Sequence, residues 1–317
     1  MPSYSVAIRT LGTAGDKYRQ LILSLKSQTV QAEGIYVYIA EGFPLPERVA
    51  DETYIPCPKG MVAQRSLRFE EIASEYILFC DDDLYLPPDS VKTLFDALNS
   101  HKADVVSPNA YPNHAMRFGE RLKAMLFSGT FPSIRARYAF RIRGSACYSY
   151  AIHPQSVMPT QSFAGLCFLL KKSVFLDAHF EEERWLDSFR YSLGDDQVLA
   201  YKLFSKGYRL LIHYDTGIEH LDAGAGHVSD KREKYYLAAF LHYIIWFRTI
   251  WQPRSGLRRV SSVLSYGFYW TVQYAIAQCS RLTGKCVYKP TELVRAVRDA
   301  RVYVKSDEFS SIPAWRV

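Results

Sequence analysis

The sequence predicts an α/β fold: a mostly parallel sheet flanked by helices, with a C-terminal helical extension. Three observations carry this reading. Short apolar segments alternate with stretches of helical spacing over the first 220 residues. One apolar segment ends abruptly in Asp81-Asp82-Asp83, as strands do at the ligand-binding edge of open α/β sheets. Beyond residue 229 the pattern is helical and aromatic.

Residues 4–9 read as a buried strand, followed by a polar, glycine-containing loop. A helix follows over 17–26, with Tyr18, Leu21, Ile22 and Leu25 on one face. A second strand spans 35–40 and ends at Glu41-Gly42. Gly60 opens a loop, and 62–73 is predicted as a helix with Leu67, Ile72 and Ala73 inward. The third strand, 76–80, stops at the three aspartates. Pro87-Pro88-Asp89 starts a helix over 90–99, and 104–107 is a short strand. Residues 110–160 break the alternation. They are basic, aromatic and carry Pro112, Pro132, Pro154 and Pro159, so they read as an insertion over one end of the sheet, helical around 116–127. The pattern resumes with a strand at 162–170 and a helix from Gly194-Asp195-Asp196 to Lys206, with Gly207 as its C-cap. Strands at 208–213 and near 217–220 follow. The chain divides into 1–225, holding the sheet and the insertion, and 226–317, holding the apolar runs 235–247 and 263–279. Those runs suit a membrane interface, packing on the sheet or pairing between subunits.

At 317 residues, 48% hydrophobic and 22% charged, the chain has ample material for a packed core. Disordered, collagen-like and disulfide-scaffold classes are excluded. Aromatics reach 15%, a level that accompanies sugar-stacking or membrane-interface surfaces. Cys57, Cys80, Cys147, Cys167, Cys279 and Cys286 form no CxxC or zinc-type spacing and read as reduced thiols. The first residues lack a basic segment followed by an apolar stretch, so no secretory leader is expected. No apolar run is long enough for a transmembrane helix. The expected location is cytoplasmic, at the cytoplasmic face of a membrane. The net charge of +7 is uneven: residues 115–145 hold seven basic side chains against one acid, and 248–305 hold eleven against two. The remainder is acidic, which suits an anionic partner bound at defined places.

The chemistry lies in two acidic clusters. Asp81, Asp82 and Asp83 put hard oxygen ligands at the carboxyl end of a strand, where like charges are costly unless a divalent cation such as Mg²⁺ or Mn²⁺ neutralises them. The alternative is a solvated acidic turn ahead of Pro87. Asp195 and Asp196 open a helix, where acids are ordinary caps stabilised by the dipole. Paired with the first cluster, they also offer a separate carboxylate for general-base work.

The order and spacing of these motifs resemble the family 2 glycosyltransferases, which have the GT-A fold of nucleotide-diphospho-sugar transferases. The resemblance covers roughly residues 4–225. YSVAIRT resembles the family's first strand and nucleotide-contacting turn, and Glu41-Gly42 its Asp-Gly. The stretch from Lys59 through Arg65-Ser66 to EEIASEYILFCDDD resembles the block that ends in Asp-x-Asp. Phe163-Ala-Gly-Leu-Cys-Phe resembles the acceptor-side strand, and GDDQVLAYKLFSKGYRL the helix that carries the base. The resemblance implies that Asp81 and Asp83 hold a metal ion, joined by His220. It implies that Asp81 and Asp82, with Arg9, Thr10, Glu41 and Arg65, contact a nucleotide-sugar donor. Asp196 is then the base of an inverting transfer and Asp195 its helper. Arg9 stands where the family usually has Pro, Ser66 where it has Asn, and Gln197-Val198 where an acid follows the base.

On this reading the partners are a nucleotide sugar, UDP-linked, and a glycan or lipid-linked saccharide acceptor, in surface polysaccharide or glycolipid assembly. Peripheral membrane contact and a homo-oligomer stay open. A sugar-phosphate nucleotidyltransferase would carry a Gly-rich, Lys-containing loop after the first strand, which TLGTAGDKYR matches poorly. The basic pI raises a nucleic-acid-binding protein, but an acidic cleft repels phosphate and no nucleic-acid motif is present. No nucleic-acid partner is expected.

Overall fold

The first strand, β1 (Tyr4–Thr10), is buried on both faces, as an inner parallel strand must be. The computed structural model describes residues 2–109, 118–127, 131–133, 135–221, 231–282 and 290–315. After β1, α1 (Asp16–Lys26) leads back to β2 (Ile35–Ala40) and β3 (Thr53–Cys57). β4 (Tyr76–Asp81) and the two-residue β5 (Leu84–Tyr85) bracket the acidic triplet, and α2 (Ser90–His101) and β6 (Val105–Pro108) follow. The insertion supplies α3 (Phe118–Phe127), β7 (Phe131–Ser133), β8 (Phe140–Ile142), β9 (Tyr148–Ala151) and β10 (Val157–Thr160). Next come β11 (Cys167–Lys171), α4 (Lys172–Asp177) and a 3₁₀ segment, Phe180–Ser188. Beyond it lie α5 (Asp195–Ser205), β12 (Leu210–His213) and β13 (Glu219–His220). The rest is helical: α6 (Lys231–Ile245) continues into a π-helical stretch, Trp246–Trp251, before α7 (Gly256–Leu282), α8 (Pro290–Tyr303) and α9 (Asp307–Ser310).

Eight strands form the main sheet in the order β10-β12-β6-β11-β4-β1-β2-β3. β4, β1, β2 and β3 are parallel, as are β6 and β12, while β11 runs against both its neighbours and β10 against β12. Alternation along the strands sorts their side chains into two layers. Val6, Ile8, Leu78 and Cys80 pack with Leu21, Ile22 and Leu25 of α1 and Leu94, Phe95 and Leu98 of α2. Ala7, Tyr38, Phe79 and Phe168 face the other way, into a core completed by α5, α6 and α8. There Phe79 stacks on Phe168 at 4.8 Å, and Phe69 meets Phe79 edge-on at 5.2 Å.

Several expectations need correction. Residues 62–73 form turns rather than a helix, for a reason given below. β3, α4 and α8 are elements the apolar pattern alone did not single out. The insertion is more strand than helix: β7, β9 and β8 make a separate three-stranded sheet, and β10 joins the main sheet as its edge. Its Arg117 lies outside the described residues, as does Cys286. The run 235–247 packs inward, with Phe240, Leu241, Ile244 and Ile245 buried in the sheet-facing core. α7 differs, with most of its apolar side chains in solvent. No helix among the described residues is long and apolar enough to cross a membrane. Cys57, Cys80, Cys147 and Cys167 are buried free thiols, and Cys279 is an exposed one.

A buried ionic triad ties the C-terminal helices to the sheet-flanking layer. Fully buried Glu183 accepts from Arg248 Nε and Nη2 at 2.8 Å each, and Lys202 Nζ of α5 lies 2.8 Å from it. Burial opposes the Glu183 charge, but the two cations outweigh it and hold its pKa low. Arg248 Nη1 also donates to the Pro313 carbonyl at 3.0 Å.

Candidate active site

The site grows from the register of two parallel strands. β1 and β4 pair so that Arg9 lies opposite Asp81. Arg9 Nε sits 2.7 Å from Asp81 Oδ1 and Nη2 sits 3.1 Å from Oδ2, a two-pronged ion pair. The pleat sends Asp82 to the opposite face, where the Thr10 hydroxyl donates to it. Asp83 lies past the strand end. There β5 pairs with β13, setting His220 opposite Leu84 and His220 Nε2 3.2 Å from Asp83 Oδ2. Three consecutive acids thus meet three different surroundings.

Arg65 joins the first of these acids to α5. Its turn is clamped by Asp187, which accepts from the N–H groups of Val62 at 3.0 Å and Ala63 at 2.8 Å. Gln64 Nε2 donates to the carbonyls of Thr10 and Tyr38, both at 3.1 Å. Phe69 then takes a positive φ of 52°. These tertiary bonds, and the left-handed residue, replace the helix that the apolar spacing suggested. The outcome is a guanidinium only 2% exposed. Its Nη1 lies 3.2 Å from Asp195 Oδ2 and 2.9 Å from Asp196 Oδ1, and its Nη2 lies 3.6 Å from Asp81 Oδ1. Nη2 also donates to the Gly165 carbonyl at 2.8 Å. Arg9 Nη1 approaches Asp195 Oδ2 at 3.7 Å. Arg9, Arg65, Asp81, Asp195 and Asp196 therefore form one cluster at the carboxyl end of the sheet.

Gly165 is part of that cluster by necessity. A Cβ there would stand 2.1 Å from Asp196 Oδ1 and 2.7 Å from Arg65 Nη1. Its backbone N–H instead donates to Asp196. Gly12, at φ 71°, has a similar role in the loop after β1, since a Cβ would meet the Pro44 carbonyl oxygen at 1.8 Å. The insertion closes the other side: Gln197 Nε2 donates to the Ala146 carbonyl at 2.8 Å, and half-buried Tyr148 lies near enough for Asp196 and Asp195 to raise its hydroxyl pKa further above the value desolvation gives it. Asp187, Gln64 and Gly165 were not picked out from the sequence; Gly165 alone left a signal, as the one glycine leading into a strand otherwise apolar. Glu41 sits exposed at the end of β2, apart from the carboxylates that Arg9 and Arg65 hold.

Part of the sequence and the fold as a whole are similar to known proteins. Residues 52–160 match the family model described as glycosyl transferase family 2. That match spans about a third of the chain and includes β3 through β10. No curated protein matches the sequence significantly. Two solved structures are similar in fold. S. aureus TarS 1-349, in complex with UDP-GlcNAc, is 12% identical with a TM-score of 0.51, over 94% of this chain and 80% of that one. GalNAc-T7, with UDP, GalNAc and Mn²⁺, is 11% identical with a TM-score of 0.53, over 88% and 58%. The longer S. aureus TarS structure is 10% identical with a TM-score of 0.49, over 83% of this chain, which spans 42% of that one. The fold is the GT-A fold, a mainly parallel sheet flanked by helices.

In this cluster the two acids of α5 are driven apart in acidity. Burial pushes Asp195 up to about 7, helped by the neighbouring Asp196 charge. Burial also opposes ionisation of Asp196, but Arg65, Arg9 and the Gly165 N–H overcome it and hold its pKa below the ordinary value. The site therefore keeps Asp196 ionised at neutral pH. Burial raises Asp82 as well, to about 6, against the hydroxyl of Thr10 and with help from Asp81 and Asp83.

The Asp82 shift has a stability sign. The folded chain keeps a proton on Asp82 that the unfolded chain has lost, so this contribution is full below pH 4 and is lost as pH rises through about 6. Asp82→Asn is expected to raise the unfolding free energy more at pH 8 than at pH 5, by no more than about 3 kcal/mol. Urea unfolding at the two pH values checks this; an equal effect at both refutes it.

Proposed function

We propose that this glycosyltransferase moves a sugar from a UDP-linked donor to an acceptor hydroxyl in one displacement with inversion. The observation that carries the reading is Asp196: ionised, held by Arg65 and Gly165, and with a side chain 36% exposed at the carboxyl end of the sheet. Asp196 accepts the acceptor hydroxyl's proton as that oxygen bonds to the anomeric carbon from the face opposite the nucleotide. The bond from the anomeric carbon to the diphosphate oxygen breaks as the new one forms. Asp195, whose burial raises its pKa, ionises less readily than Asp196 and so weakens the adjacent negative charge that Asp196 meets. Arg65 and Arg9 hold the acids in place and bring positive charge to the donor's side of the cluster. Thr10, Asp82 and Glu41 line the ends of β1, β4 and β2, where the donor's ribose and base would rest.

A divalent cation, Mn²⁺ or Mg²⁺, fits a narrower set of residues than Asp81, Asp83 and His220 together. Both Asp81 oxygens face Arg9, and among the described residues no group of three His, Cys, Asp or Glu side chains is placed to hold a metal. Asp83 and His220 offer one oxygen and one nitrogen side by side. Such a pair suits a cation that completes its shell with phosphate oxygens and water. When bound, the cation neutralises charge developing on the leaving diphosphate.

The acceptor we infer is a glycan or lipid-linked saccharide of surface polysaccharide or glycolipid assembly, met at the cytoplasmic face of a membrane. The basic walls of the insertion suit a phosphate on that acceptor. A thermal-shift panel of nucleotide sugars with and without Mn²⁺ tests the donor. A UDP-sugar at one hundred times its Kd should stabilise the protein by about 2.7 kcal/mol, and the shift should shrink without metal. If no nucleotide sugar raises the melting temperature in either condition, the donor assignment is wrong.

A further inference from the structure

The second half of the chain leaves one surface that the transfer reaction does not use. α7 is 27 residues long, about 40 Å, and carries no Asp or Glu. Its solvent side is an apolar stripe at helical spacing: Leu257, Val260, Leu264 and Phe268 are 88%, 55%, 69% and 67% exposed, and Leu282 closes the stripe at 85%. Arg258 and Arg281 flank it, both exposed. The adjoining helix α3 also exposes Leu122 and Met125.

A groove of about 750 Å³ runs beside this stripe, between α7 and α8. Tyr266, Trp270 and Val297 line its floor, and Arg298, Arg301 and Lys305 its rim. Arg298 and Arg301, three residues apart on α8, share one face, and Lys305 follows just past the helix end. Gly267, exposed between Leu264 and Phe268, borders both groove and stripe. The Trp270 Nε1 is buried without a hydrogen-bond partner among the described residues. The two acids between residues 248 and 305 are both engaged, Glu292 by Arg232 and Arg295 and Asp299 by Tyr236 and Arg298.

We propose that α7 and the groove beside it form a docking face for an anionic lipid surface. The apolar stripe enters the acyl boundary, and Arg298, Arg301, Lys305, Arg258 and Arg281 meet headgroup phosphates. A stripe of apolar side chains flanked by cations is the pattern of an interfacial helix. Charge decides between this occupant and a second copy of the chain. Two copies joined through α7 would set one acid-free, arginine-flanked helix against another, whereas anionic lipid complements it. This deepens the membrane-face reading above by naming the surface, and it stands whatever the donor is.

The test is flotation of the full chain with vesicles of phosphatidylcholine alone, or of phosphatidylcholine with 30% phosphatidylglycerol (about that composition is usual for an anionic interface). The protein should float with the anionic vesicles, less so at 0.5 M salt, a level at which screening is roughly complete beyond about 4 Å. L264E combined with F268E should weaken vesicle binding at least about tenfold. Melting temperature and transfer to a water-soluble acceptor should stay unchanged, which separates lost docking from lost folding or lost chemistry. The proposal is overturned if the parent chain stays at the bottom with anionic vesicles, or if the double variant floats as well as the parent. It is equally overturned if the parent is a dimer in solution that the same substitutions split.

Discussion

Alanine at Asp196 should lower the turnover of sugar transfer by roughly 10³-fold while leaving donor affinity within a few-fold of the parent. The reason is positional. Asp196 is the least enclosed acid of the cluster, with a side chain 36% exposed against 8% for Asp195 and 17% for Asp81. An incoming hydroxyl can reach it, and it is ionised when reached. Asp81 stays paired with Arg9 in the variant, so the donor side of the cluster keeps its shape. Product formation under saturating donor gives the turnover, and calorimetric titration of the donor gives the affinity. Transfer at near-parental rate would remove Asp196 from the role of base.

The second large effect is expected at Arg65. This guanidinium touches Asp81, Asp195, Asp196 and the Gly165 carbonyl from a site 2% exposed. Arg65→Met leaves three carboxylates with one cation fewer, and breaking a buried network from one side costs about 3–5 kcal/mol. Removing Arg65 also removes the first of the charges that keep Asp196 acidic. The Asp196 pKa should therefore rise, so the acid limb of the pH–rate profile should move to higher pH. Urea unfolding and a pH–rate profile on the surviving folded fraction measure the two effects separately. Unchanged stability together with an unmoved acid limb would refute the account. Arg65→Lys should rescue little, because one ammonium cannot span four acceptors arranged around a planar fork.

Much of this site is legible in the sequence. The apolar strand ending in Asp81, the helix opening on Asp195 and Asp196, and the order of the motifs between them all rest on local patterns. Those patterns survive because burial at 3.6- or 2-residue spacing is what they report. The division of the three aspartates was harder to read. Adjacent letters suggest one shared ligand site, but the pleat turns Asp81 and Asp82 to opposite layers and the end of β4 gives Asp83 to His220. Residues 62–73 read as a helix because the bonding partner that holds Val62 and Ala63 in turns, Asp187, lies more than 120 residues away in sequence. The direction of β11 is likewise invisible locally, since an apolar strand buried on both faces reads the same pointing either way. For the run 235–247 the letters show only that it avoids water; whether lipid or protein receives it is settled by packing.

The Glu183 triad bears on the order in which a nascent chain can mature. Lys202 belongs to the helix that displays Asp195 and Asp196, yet the carboxylate that neutralises it also requires Arg248, and Arg248 is fastened to the carbonyl of Pro313. While translation proceeds at about 5–20 residues per second, everything between Lys202 and Pro313 takes several seconds to emerge from the ribosome. Through that interval Lys202 already has Glu182 and Glu183 as partners while Arg248 and Pro313 are still to come, so the fastening of α5 to the C-terminal segment is among the last contacts the new chain makes.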